Sequence, residues 1–129
     1  MQRDELNSLV WLETYKSMIT LSIEGFKYAA LANGGAAVAI LAYLGNVAGK
    51  GQLIPDMSIP MIFFCAGIIS CGVAMILSYL TQYYMLSDLS KNESAIKAHS
   101  FFLWTSLTFF LISLISFGLG SWQAIGRFG

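Results

Sequence analysis

The sequence predicts an all-α membrane protein in which three transmembrane helices follow an amphipathic N-terminal helical extension, the whole assembling as an oligomer. Composition is the first observation behind this. Of 129 residues, 57% are hydrophobic and 11% charged, whereas about a quarter of residues are charged in soluble domains. The second is charge placement: Tyr28 to Gly49, Met57 to Ser87 and Ala98 to Gly126 contain no Asp, Glu, Lys or Arg. Each exceeds the about 20 apolar residues that cross a hydrocarbon core of about 30 Å. The third is a recurrence of small residues at four-residue spacing, which lets membrane helices approach closely. The chain divides into an extension over 1–27 and a three-span domain over 28–126, with spans at 28–48, 59–86 and 100–123.

The extension carries Arg3, Asp4, Glu5, Glu13, Lys16, Glu24 and Lys27, so it does not read as a cleaved signal sequence, which places an apolar run directly after a basic start. No lipidation pattern is present. At about 100° per residue, Glu13, Lys16, Ser17, Thr20, Glu24 and Lys27 fall on one narrow stripe. Val10, Trp11, Leu12, Tyr15, Ile19 and Phe26 are among the apolar residues that cover the rest. With no proline from Gln2 to Gln52, one helix can begin near Asp4 and continue into span one. The extension either lies on the membrane surface or projects into the cytoplasm and packs against its own copies. In the second case Glu13, Lys16, Thr20, Glu24 and Lys27 form a stripe that a cytoplasmic regulator or ligand could reach.

Span one, with Ala32 and Ala36 or Gly35 and Ala39 at the close-packing spacing, reads as a packing helix. Asn33 is its strongly polar side chain at depth and must face another helix or a water path rather than lipid. Asn33-Gly34-Gly35 fits a kink or an interhelical hydrogen bond; a turn that splits the segment is the rival. In span two Ala66, Ser70, Ala74 and Ser78 form a second seam. Cys65 and Cys71 lie on different faces and make neither a CxxC redox pair nor a metal site. Tyr79, Tyr83 and Tyr84 mark the cytoplasmic interface. Ser90-Lys91-Asn92-Glu93 has capping-box spacing, which makes spans two and three a tight hairpin. His99, the sole histidine, reads as an interfacial helix residue.

In span three, Trp104 and Trp122 are eighteen residues apart, five whole turns and about 27 Å, so they bracket the bilayer from one side of the helix. The opposite side carries Thr105, Ser106, Ser113 and Ser116, with Phe102 and Phe109 among them. Such a face is a helix contact or the wall of a pore; Asn33 and these six residues are the pore-lining candidates. Serine can also return its hydroxyl to its own helix.

Orientation follows from the basic residues. Arg3, Lys16, Lys27, Lys91 and Lys97 share one side and Lys50 and Arg127 the other, which places the N-terminus in the cytoplasm.

Catalytic motifs are missing. The spans hold no ionisable carboxylate or amine, and the chain has no phosphate loop, no His-Glu-x-x-His and no nucleophile elbow. The sequence therefore predicts no enzyme, no catalytic residues, no metal and no cofactor. A proton- or sodium-driven transporter usually keeps an ionisable residue in the membrane. A net charge of zero does not indicate nucleic-acid binding. What remains is a protein that works by assembly, with the lipid bilayer and its own copies as partners.

The segment Ala29 to Gly45, which contains Ala-Asn-Gly-Gly-Ala-Ala-Val-Ala, resembles small three-span bacterial inner-membrane proteins of uncharacterised role. The plan of three spans with a long helical extension resembles the channel-forming membrane effectors of bacterial anti-phage defence, such as those of Hailong systems. The resemblance implies a homo-oligomeric channel or membrane-perturbing effector in the bacterial inner membrane, with a hydrophobic constriction such as Phe102 or Phe109 gating by dewetting. A structural or accessory subunit of a larger membrane complex, and a phage holin, are the alternative classes.

Overall fold

The structure is a computed structural model that describes residues 2–88 and 93–128, with side chains described over 3–85 and 97–127. It contains three helices, α1 (Gln2–Gly49), α2 (Ser58–Asp88) and α3 (Glu93–Phe128), and no strand among the described residues. All three are long and apolar enough to cross a membrane, so the fold is that of a multi-pass membrane protein.

Helix α1 runs 48 residues without a break, about 72 Å at 1.5 Å per residue. Its backbone passes through Lys27 and Tyr28 and through Asn33-Gly34-Gly35 as regular helix, so the extension and span one are one element. No proline interrupts it. It stops at a Schellman motif: Gln52 N donates to Val47 O at 3.3 Å and Gly51 N to Ala48 O at 3.1 Å, with Gly51 at a φ of 67°. That left-handed conformation costs a glycine little and other residues more.

Helix α2 begins where Met61 N donates to Met57 O. Asp56 Oδ1 accepts from Ser58 N at 3.0 Å, satisfying an N-terminal donor that the helix cannot. Pro60 follows within the first turn, where a missing N–H is harmless. The Asp56 carboxyl is held below its usual value of 3.8, first by the hydrogen bonds from Ser58 and then by the charge of Arg127. Arg127, in the last turn of α3, donates from Nη1 to Asp56 O at 2.9 Å and lies 3.5 Å from Asp56 Oδ2. The loop is thus tied to the far end of α3, and the cation suits the negative end of the helix dipole. Ser90, the first residue of the expected capping box, lies outside the described residues.

Helices α2 and α3 form a closely packed antiparallel hairpin, and α1 lies along it. Lipid removes the hydrophobic drive for this association, so close backbone approach and interhelical hydrogen bonds must supply it. At the end nearer the α1–α2 loop, Phe64 is 2% exposed and packs in a cluster with Ala37, Ile40, Met57 and Ala124. Gly120 makes room for it: a Cβ there would lie 2.9 Å from the Phe64 ring. Trp104 and Trp122 are 64% and 77% exposed, as lipid-interface anchors require.

Candidate functional site

The polar side chains of the spans converge on a seam between the three helices. Asn33 is 0% exposed. Its Nδ2 donates to Ala29 O at 3.0 Å, one turn back, and lies 3.3 Å from both Ser113 O and Ser113 Oγ. Three acceptors around the nitrogen fix which way the amide points. Ser113 Oγ donates in turn to Gly67 O at 2.7 Å, so one side chain from α1 and one from α3 link all three helices. Gly67 is required here, since a Cβ on it would run into the Asn33 amide. Asn33 Oδ1 has no hydrogen-bond partner; it faces the Gly67 backbone, where a weak Cα–H contact is the available interaction.

One step nearer the N-terminal side of the bundle, Ser106 Oγ donates to Ala74 O of α2 at 2.8 Å, and Cys71 Sγ lies 3.4 Å from Phe26 O of α1. Ser106 and Ser116 are both 7% exposed. Of the candidates on the hydroxyl face, Asn33, Ser106 and Ser113 hydrogen-bond to other helices of the same chain, and Ser116 is buried. Thr105 turns its hydroxyl back to Phe101 O at 2.8 Å. Phe102 stacks on Tyr84 with ring centroids 5.2 Å apart, and Phe109 is half-buried.

The extension presents its polar stripe away from the hairpin. Glu13, Lys16, Thr20, Glu24 and Lys27 are all exposed. Glu13 with Lys16 and Glu24 with Lys27 both have i,i+3 spacing; the structure closes Glu24 with Lys27 at 2.8 Å and not Glu13 with Lys16. Thr20 Oγ1 donates to Lys16 O at 3.0 Å. The hairpin-facing side of the extension carries Tyr15, Ile19, Ser22 and Phe26, the last edge-on to Phe110 at 5.5 Å.

Between this side and the hairpin lies a cleft of about 490 Å³. Its lining residues come from all three helices, and periodicity within one helix does not show which residues of another it will meet. Among the described residues no group of three or more His, Cys, Asp or Glu side chains could hold a metal. Compared with protein-family models, curated proteins and solved structures, the chain finds no match.

Proposed function

We propose that the chain is a non-enzymatic, self-associating protein of the bacterial inner membrane, N-terminus cytoplasmic, that works as a homo-oligomeric channel or membrane-perturbing effector. The uncovered face of α1 is the observation that supports this reading. While Ala32 and Ala36 are partly covered, Gly35 and Ala39 are exposed, and a Cβ at Gly34, Gly35 or Gly45 would meet no atom within 4 Å. Leu31 and Val38, 75% and 65% exposed, share that face. A surface of small residues flanked by aliphatic ones suits a second helix in lipid. Toward the N-terminus the same side of α1 carries the exposed stripe of Glu13, Lys16, Thr20, Glu24 and Lys27.

Three helices enclose no water path, but several copies can. With Asn33, Ser106, Ser113 and Ser116 engaged inside each chain, such a path runs between copies or opens the bundle, and Phe102, Thr105 and Phe109 stand at the edge of the hydroxyl seam. The excess of basic residues on the N-terminal side supports the orientation, which brings the exposed stripe within reach of a cytoplasmic regulator. The resemblance to anti-phage membrane effectors supports a role of that kind.

The test is native mass measurement in mild detergent together with planar-bilayer recording. Wild type is expected to be oligomeric and to conduct. Gly35→Leu combined with Ala39→Leu is expected to give monomers without current. A wild-type monomer removes the assembly claim; oligomers that never conduct favour the structural-subunit reading, and timed lysis favours a holin.

A further inference from the structure

The cleft between α1 and the hairpin has a polarity gradient matched to its depth in the bilayer. Its inner end is walled by Phe26, Leu107 and Phe110, and its outer end by Tyr15, Gln82 and His99. Phe110 lies six residues to the membrane side of Trp104 and His99 five residues outside it, about 9 Å and 7.5 Å along the helix. The cleft therefore straddles the level at which Trp104 sits at the membrane–water interface.

Three of the hydroxyl groups on its wall are already engaged with backbone carbonyls. Ser22 Oγ donates to Met18 O, Thr81 Oγ1 to Leu77 O and Ser106 Oγ to Ala74 O. Among the described residues no Asp, Glu, Lys or Arg lines it. Gln82 and His99 at the outer end have no hydrogen-bond partner among the described residues, and Met18, Leu21, Leu103 and Leu107 leave the rim exposed. An apolar slot of this volume falls in the range of about 300–1,000 Å³ that holds small molecules.

We propose that this cleft binds one acyl chain of a membrane phospholipid, its polar head group held at the outer end by Gln82, His99 and the Tyr15 hydroxyl. A buried chain satisfies the apolar inner wall, and the head group supplies the donors and acceptors that the outer end lacks. The site exists in each chain and depends on membrane insertion, not on the channel reading.

The test uses full-length protein in phosphatidylethanolamine–phosphatidylglycerol vesicles with a trace of phospholipid carrying a photoactivatable group near one chain end. Label is expected at Phe26 and Phe110 above the level at Ile69 and Ile115, which face outward elsewhere on the bundle. Native mass spectra are expected to retain one phospholipid per chain after other lipid is stripped. Leu107→Trp, on the exposed rim, fills part of the slot, as does Gly25→Leu, whose Cβ would lie 3.4 Å from the Phe110 ring. Displacing about two methylenes is expected to lower retention and cleft label about tenfold, with label at Ile69 unchanged. Label at Phe26 and Phe110 no higher than at Ile69, retention of a free fatty acid instead, or cross-links from Met85 to a second chain would each overturn the proposal.

Discussion

The amide nitrogen of Asn33 lies 3.3 Å from the hydroxyl of Ser113, and through that hydroxyl it is joined to the Gly67 carbonyl. This relay is what latches α1 to the hairpin. Its energy in lipid is modest, because interhelical hydrogen bonds there average about 0.6 kcal/mol and reach about 1.7. Asn33→Ala is expected to cost about 1 kcal/mol and to weaken α1 docking without disturbing α2 and α3. Steric trapping of α1 against the hairpin in bicelles measures it; an unchanged docking equilibrium would refute the latch.

Gly67→Ala tests the same contact from the other side. The added methyl runs into the Asn33 amide, and overpacking a close contact costs about 1–3 kcal/mol. Combining it with Asn33→Ala removes the collision, so the double variant is expected to dock α1 better than Gly67→Ala alone. Additive losses in that cycle would show the two residues do not touch.

Gly120→Ala probes the opposite end of the bundle. Its Cβ would lie 2.9 Å from the Phe64 ring, which is 2% exposed and has little room to move. A loss of about 1–3 kcal/mol in detergent unfolding is expected, with partial recovery on adding Phe64→Leu. Full stability of Gly120→Ala alone would mean that the ring has another place to go.

Asp56 gives the protein a titration at the end of the bundle that carries the α1–α2 loop. Hydrogen bonds from Ser58, then the charge of Arg127, lower its pKa in the folded chain. A depressed carboxyl stabilises above its unfolded pKa, and that contribution is lost as pH falls through the folded value. The contribution of this carboxyl is therefore expected to be fully present above its ordinary value of 3.8 and to be lost below it. Asp56→Asn should remove that part of the decline while keeping the cap oxygen. Melting in detergent across that range, with Arg127→Gln as a second variant, tests it; an identical acid decline in Asp56→Asn would exclude this carboxyl.

The exposed stripe is open to a charge-reversal test. Lys27→Glu breaks a surface pair worth about 0.3–0.5 kcal/mol, too little to affect folding. Lys16→Glu with Lys27→Glu is expected to leave insertion intact and to alter bilayer conductance, because two reversed charges per copy would line the cytoplasmic mouth. Unaltered conductance with weaker binding to anionic vesicles would instead place the stripe on the lipid surface.

The spans are legible in the sequence because charge exclusion over a bilayer thickness is a local property. Asn33 facing another helix is legible for a related reason, since an amide at that depth has few alternatives. Two features are not. Ser106 and Ser113 donate to carbonyls of α2, although the same residues could have bonded within their own helix, as Thr105 and Thr108 do; sequence does not distinguish the two. Arg127 and Asp56 are 71 positions apart, and nothing local pairs them. The cleft is illegible because its wall is shared by all three helices and exists only once they have packed.

The location of the Asn33 relay also dictates an order of events during biosynthesis. Span one leaves the ribosome first, and its amide can then reach one acceptor, the Ala29 carbonyl of its own helix. Ser113 is synthesised 80 residues later. Between those moments α1 holds a half-satisfied polar group inside hydrocarbon, so the nascent chain is least secure before the hairpin arrives. Insertion machinery that retains the first helix until α3 is made would shield that interval, and chains interrupted after α2 would present an unlatched helix to membrane proteases.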